Sequence, residues 1–261
     1  MLAIAAPPAP PDRPFHDKAW LAEHLREERR AADLLGEIRE ALFGAQDGLV
    51  STLAIVSTVG GATSDRFPIL VAGIASALAG VFSMAAGEYL SSKSQRDIYE
   101  AQIEKEREEV YDRPGESEAE VAYMLEQEGL DEAAARRVAS EMARSPNVLL
   151  KTMVEKELGI PVEQGRNALQ GALVMGVSFG LASLVPVVPY LLLPVETALW
   201  ASIGLSAAVL FGIGVVKSRW TRHGAIRSGL EIVVLAAVAG VAGYVFGSML
   251  PTLLGVRVPG A

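Results

Sequence analysis

PILVAGIASALAGVFSMAAGEYL, residues 68–90, runs without interruption into SSKSQRDIYEAQIEKEREEVY, residues 91–111. The first string is apolar and rich in small residues, and it is long enough to cross ~30 Å of hydrocarbon. The second is built from strong helix formers and is dense in charge. No breaker lies between Gly87 and Pro114, so the pattern predicts one helix from Pro68 to about Tyr111, about 65 Å long at 1.5 Å per residue. One half suits lipid and the other suits water. The chain is therefore expected to be an all-α membrane protein with a water-exposed helical domain.

Working outward, four more stretches reach spanning length. They are Leu42 to about Gly61, Ala168–Leu193, Thr197–Val216 and Ser228–Leu250. That makes five transmembrane helices. The three prolines of VPVVPYLLLPVE, residues 185–196, suit a tight turn between the third and fourth. Ahead of the first span, Trp20, Leu21, Leu25, Ala32, Leu35 and Ile38 roughly follow helical spacing. This predicts an amphipathic helix from about Asp17 to Glu40, lying at the membrane surface or packed on a partner helix. Residues 1–14, MLAIAAPPAPPDRP, read as a mobile Pro-rich tail without the apolar run of a signal peptide. Beyond Pro114, two short amphipathic helices are expected near Glu116–Glu128 and Asp131–Ala143, and a third from Pro146 to Leu158. The chain divides into a tail and amphipathic helix (1–36), spans one and two (37–94), an acidic domain (95–163) and spans three to five (164–261).

Charge follows the same division. Residues 97–163 hold 18 acidic and 8 basic side chains, while the rest of the chain holds 13 and 15. The acidity belongs to one domain, which argues against nucleic acid and for cations as partners. The basic residues set an orientation. Arg26, Arg29, Arg30 and Arg39 precede the first span, Lys93 and Arg96 follow the second, and Lys217, Arg219, Arg222 and Arg227 join the fourth to the fifth. The other loops are poor in Lys and Arg, with only Arg66 and Arg257. The alternation places the N-terminus and the acidic domain in the cytoplasm and the C-terminus on the opposite side.

Asp47, within GAQDGLVS, is the sharpest single signal. An ionised carboxylate inside a bilayer is costly and usually faces a water-filled path or a bound ion. The plainer reading is a carboxylate near the headgroups that snorkels or caps a helix. Met84 and Glu88 lie one turn apart on the second span. A thioether beside a carboxylate favours a borderline transition metal, although Met is also a common gap-filler and Glu88 sits where a solvated role suffices. Glu100, Glu104 and Glu108 repeat at i, i+4, and Glu106 and Glu109 form an E-x-x-E pair. Glu116, Glu118 and Glu120 follow Pro114, and Met153 and Glu157 are i, i+4 on the returning helix. Carboxylates so spaced can share a metal, or they simply form a solvated face.

Other chemistries are set aside. There is no Cys, which excludes disulfides and thiolate sites. No Glu-x-x-His pair supports a di-iron centre, and His16, His24 and His223 show no ligand spacing. The absence of a Walker lysine motif means that transport, if present, draws on a gradient rather than on ATP.

REALFGAQDGLVSTLAIVSTVGGA (39–62), AGVFSMAAGEYLSSKSQRD (79–97), MVEKELGI (153–160) and GALVMGVSFGLASLVPVVPYLL (171–192) together resemble the vacuolar iron transporter family over roughly residues 37–250. The resemblance implies a homodimer exporting Fe²⁺, with Mn²⁺ as a further substrate, from the cytosol in exchange for protons. No cofactor would be permanently bound; the divalent transition metal is the substrate. It implies a translocation path between protomers lined by Asp47 and Met84, with Glu88 near its cytoplasmic end. It also implies a three-helix cytoplasmic metal-binding domain. Glu106, Glu109, Glu120, Met153 and Glu157 match that domain's ligands. One departure is Ser117, which stands where the second pair expects a glutamate, with Glu116 or Glu118 as the substitute. Another is the 36-residue N-terminal extension, which the resemblance leaves unexplained. The rival reading is a membrane-bound metal sensor or scaffold that binds cations without moving them. A plasma (inner) membrane and a vacuolar membrane fit equally.

Overall fold

The structure, a computed structural model, describes residues 18–160, 167–220 and 224–254. The expected Pro-rich tail, His16, Arg222, His223 and Arg257 lie outside the described residues. Among the described residues there are eight α-helices and no strand: α1 Lys18–Ala62, α2 Arg66–Asp112, α3 Pro114–Gln127, α4 Glu132–Ala143, α5 Pro146–Lys156, α6 Ala168–Leu192, α7 Val195–Ser218 and α8 Ala225–Leu254. Helices α1, α2, α6, α7 and α8 are long and apolar enough to cross a membrane. The chain folds as two compact units, one of residues 1–89 and 169–261 and the other of residues 90–168.

The larger unit is organised around α1. Gly44, Gly48, Thr52 and Val56 recur every fourth residue and are buried together with Leu49 and Leu53. This stripe packs at backbone distance. A Cβ on Gly44 would lie 2.5 Å from the Met175 carbonyl oxygen of α6, and one on Gly48 would strike the Phe179 carbonyl. On another face, a Cβ on Gly243 of α8 would lie 2.6 Å from the Ala54 carbonyl oxygen. Gly247 meets the Thr58 carbonyl one turn further on. Small residues at such crossings let dispersion contacts form where lipid offers no hydrophobic contrast. Leu49, Leu53, Ala182, Leu210, Ile232 and Ala236 fill one core beside the stripe. Val56, Ile69, Val187, Tyr190, Ala198 and Leu199 fill a second. Large apolar side chains such as Leu78, Phe82, Leu181, Trp200 and Phe246 face outward. Only 17% of the most apolar window of α2 is buried, so its remaining surface needs lipid or another protein.

Two expectations change. The amphipathic segment and the first span are one continuous helix. The switch from charged to apolar residues near Ala41 alters the solvent that suits the helix, yet breaks no backbone hydrogen bond. Second, Pro186 and Pro189 lie inside α6, and only Pro194 forms the turn, as the N-cap of α7. A membrane helix tolerates such prolines when neighbours satisfy the backbone. The buried Ser202 hydroxyl of α7 donates to the Pro186 carbonyl at 2.7 Å and so ties α7 to this stretch, while the carbonyls that lose an amide partner to the prolines are those of Ala182 and Val185. Arg66 donates to the Leu193 carbonyl at 2.9 Å, so the α1–α2 and α6–α7 connections lie at the same end of this unit.

The smaller unit is a helical cluster whose ends are fixed by ordinary signals. Pro114 and Pro146 open α3 and α5. The Asp131 carboxylate caps α4 by accepting from the Ala134 amide at 3.0 Å. Gly129, at φ 106°, makes the left-handed turn between α3 and α4. Val110, Val121, Ala122, Leu125, Ala135, Ala139, Leu149 and Met153 form the core. Lys156 donates to both Glu128 carboxylate oxygens, at 2.5 and 2.6 Å, and ties α5 to α3.

Replacing Gly48 with Leu forces a side chain into backbone. It should lower the melting temperature of the detergent-solubilised protein by several degrees, in line with an overpacking cost of ~1–3 kcal/mol. Gly212→Ala, where nothing lies within 4 Å, should leave it unchanged. Equal effects of the two would contradict the close crossing.

Candidate functional site

The candidate side chains fall into two groups, one in each unit. In the larger unit, Asp47 projects from α1 between Gly44 and Gly48 and is half-buried. Met84 and Glu88 of α2 are also half-buried. Helix α6 gives their relative depth. Gly48, next to Asp47, abuts the Phe179 carbonyl, and Gly80, one turn before Met84, abuts the Phe179 ring. A Cβ on Gly176 would lie 3.0 Å from Ala85 Cβ. Asp47 and Met84 therefore sit at one level of this bundle, within about a helical turn. Glu88 lies one turn beyond Met84, toward the start of α6.

Two further carboxylates belong to that end, and sequence reasoning passed them over. Glu40, two turns before Asp47 on α1, is only 4% exposed. Its carboxylate is held where a Cβ on Gly171 would lie 2.8 Å away. Glu37 accepts a hydrogen bond from the Gln170 side-chain amide. The available signal was the seven-residue spacing of Glu40 and Asp47, which puts both on one helical face. It was masked because Glu40 closes a run of charged residues that reads as solvated.

In the smaller unit, Glu106 faces the core one turn before Val110. It is 2% exposed, and its Oε2 is buried without a hydrogen-bond partner among the described residues. Loss of solvent, then the charges of Glu157 and Glu109, push its carboxyl above the usual carboxylate range; Lys105 opposes and Glu120 adds to the rise. Glu120 is raised by burial, then by Glu157, Glu116 and Glu109, against Arg113. The expected ligands Glu106, Glu109, Glu116, Glu120 and Glu157 thus act on one another electrostatically. Glu109 is also paired with Lys105 at 3.2 Å and Arg113 at 3.7 Å, and Glu116 with Arg113 at 2.8 Å. Glu116, Glu120, Met124 and Glu157 line a cavity of about 360 Å³ with Ala119 and Tyr123. Like charges repel, and these carboxylates flank the cavity rather than meet at a point: among the described residues no three His, Cys, Asp or Glu are gathered closely enough to hold an ion.

Ser117 is buried at 2% exposure. Of its neighbours, Glu116 shares the cavity with Glu120 and Glu157, whereas Glu118 opens onto a different surface with Glu132 and Arg136. Glu116 is therefore the neighbour of Ser117 that shares a cavity with other expected ligands. Met153 is 1% exposed within the apolar core, which packing alone explains. Met124 was not foreseen. It follows Glu116 and Glu120 at i+8 and i+4, and this spacing could have revealed it. Among the histidines, His24 stacks on Trp20 with ring centroids 5.0 Å apart and lies 3.3 Å from Glu28.

Residues 38–248 match the family model described as VIT family. The chain belongs to the VIT family. Similar proteins include a vacuolar iron transporter 1 of Tulipa gesneriana, 30% identical over 245 residues, which span 94% of this chain and 96% of the relative. A vacuolar iron transporter 1 of Arabidopsis thaliana is 32% identical over 230 residues, with 87% and 91% covered. A vacuolar iron transporter of Plasmodium falciparum is 27% identical over 223 residues, with 82% of each chain covered. The VIT match spans both groups of side chains, from Glu40 through Asp47 and Met84 to Glu157.

The raised carboxyls make stability depend on pH with a definite sign. A folded state that holds Glu106 and Glu120 protons more tightly than the unfolded chain is most stable while they are protonated. It loses that stability as pH rises through the raised values. In the full-length protein, amides of residues 106–157 should become better protected from hydrogen exchange, after correction for intrinsic rates, as pH falls from about 7 to about 5. Glu106→Gln should give that protection already at neutral pH. Protection that weakens on this acidification would contradict the assignment.

Proposed function

We propose that the protein moves divalent transition-metal ions, Fe²⁺ first and Mn²⁺ as a further substrate, out of the cytosol in exchange for protons, working as a homodimer. The observation that carries this reading is the pairing of depths in the larger unit. A half-buried carboxylate, Asp47, and a half-buried thioether, Met84, occupy one level of a membrane bundle. Glu88, Glu40 and Glu37 stand toward the start of α6. A hard oxygen with a soft sulfur suits a borderline cation better than Mg²⁺ or Ca²⁺. The names of the similar plant and Plasmodium proteins point the same way.

In this mechanism the smaller unit faces the cytoplasm and collects cations at Glu106, Glu109, Glu116, Glu120 and Glu157, with Met153 beneath them. A cation arriving there relieves the mutual repulsion of the carboxylates and displaces the protons they hold. In the span, Asp47 exchanges the metal's charge for a proton's, so the site is never left as an uncompensated ion in a low-dielectric setting. Helix α1, locked to α6 and α8 by its glycines, presents Asp47 to a surface completed by a second protomer. That the exposed face of α2 needs a cover supports the dimer. The membrane is the plasma (inner) membrane or a vacuolar one, with the C-terminus on the side away from the cytoplasm.

Purified protein in liposomes should carry Fe²⁺ to an enclosed fluorescent reporter faster under a pH gradient, and Asp47→Asn should abolish that flux while keeping the dimer intact. Flux preserved in the variant would sink the mechanism. Binding without flux in the native protein would favour a sensor instead, the reading that needs the acidic unit but not Asp47.

The cavity makes a second prediction. Met124→Leu keeps the packing volume but removes sulfur. It should weaken Co²⁺ binding several-fold while leaving Ca²⁺ binding unchanged, as titrated on the full-length protein. Equal loss for both ions would mean that Met124 acts only through packing.

A further inference from the structure

The larger unit carries a second cavity, separate from the carboxylates, of about 450 Å³ between α1, α6 and α7. Its size is that of a small-molecule site. Ile38 and Trp220 stand at one end, and Ala45, Ala182 and Val209 at the other. The lining is apolar except for Ser178, whose hydroxyl is already used on the Val174 and Met175 carbonyls at 2.7 and 3.0 Å. Nothing within it would satisfy a polar ligand, so its occupant must present hydrocarbon there.

The end marked by Ile38 and Trp220 is different. Arg39 follows Ile38 and is exposed, and Arg219, the C-cap of α7, precedes Trp220 and is exposed. Trp220 is itself 39% exposed. Indole and guanidinium groups at one end of an apolar slot are the pattern of a bilayer interface. The nearby carboxylates turn elsewhere: Glu37 receives the Gln170 amide and Glu40 lies against Gly171. The slot is thus apolar within, and the exposed arginines Arg39 and Arg219 adjoin its Ile38–Trp220 end in sequence.

We infer that this groove is a binding site for an anionic diacyl phospholipid, with one acyl chain between Ile38 and Ala45 and the phosphate at Arg39 and Arg219. A zwitterionic lipid fills the same slot but brings a cationic headgroup to two arginines. An anionic lipid brings complementary charge, and cationic residues beside a membrane surface favour it measurably. A lipid held there would buttress the face of α1 beside the Gly44 crossing.

Native mass spectrometry of the full-length protein with phosphatidylglycerol and with phosphatidylcholine of identical chains tests the site. The expected result is a preference for phosphatidylglycerol on the order of tenfold. The double variant Arg39→Gln/Arg219→Gln should lose the preference while still binding phosphatidylcholine. Ala45→Phe, which fills the deep end, should lower binding of both lipids. A soluble glycerophosphoglycerol headgroup, lacking chains, should not compete. Equal binding of the two lipids by the native protein, a preference retained in the double variant, or competition by the headgroup alone would each overturn the proposal. If Ala45→Phe fails to fold, Val209→Phe, at a partly buried position, fills the same end from α7 and reads the same effect.

Discussion

The approach of α1 to its neighbours at backbone distance is the constraint on which the larger unit depends. Gly44 and Gly48 meet the carbonyls of Met175 and Phe179 on one side, and Gly243 and Gly247 of α8 meet those of Ala54 and Thr58 on another. In a bilayer the hydrophobic effect gives little reason for helices to associate, so close packing has to do so. Once α1 is held along two faces, the position of Asp47 between Gly44 and Gly48 is fixed in depth. Helix α2 is fixed against α6 by Gly80 meeting the Phe179 ring and by Ala85 meeting Gly176. The common level of Asp47 and Met84 on two helices thereby follows from glycines that carry no chemistry.

The smaller unit solves a different problem. It holds carboxylates close enough to feel one another, which costs stability when all are ionised. Burial adds to that cost at Glu106, whose Oε2 has no hydrogen-bond partner among the described residues. The surrounding ion pairs of Glu109 and Glu116 with Lys105 and Arg113 offset part of the repulsion, though exposed pairs contribute little. The apolar core from Val110 to Met153 supplies the rest. In the proposed mechanism a cation arriving there would remove that penalty.

Much of this was legible in the residues. The spans declare themselves by length and composition, and α3, α4 and α5 by Pro114, Asp131 and Pro146, because caps and first-turn prolines are local signals. What was hidden depended on neighbours. Pro186 and Pro189 read as a turn, yet both lie inside α6, buried against its neighbours. The change of composition near Ala41 reads as a boundary, yet the backbone ladder of α1 ignores it. Glu40 reads as solvated until Gly171 is seen to make room for it. The direction of Glu116 and Glu118 is set by how α3 rolls against its core, which buries Ser117 and leaves Glu116 on the cavity.

In the proposed mechanism one chain gathers metal at its acidic unit and holds it again at Asp47 and Met84 within the span. The most direct measurement is anomalous diffraction from crystals of the full-length protein soaked in Co²⁺, collected at the metal edge. Peaks among Glu106, Glu116, Glu120 and Glu157, and another beside Asp47 and Met84, are the expected result. Anomalous density confined to other surface carboxylates, with none at either place, would contradict it.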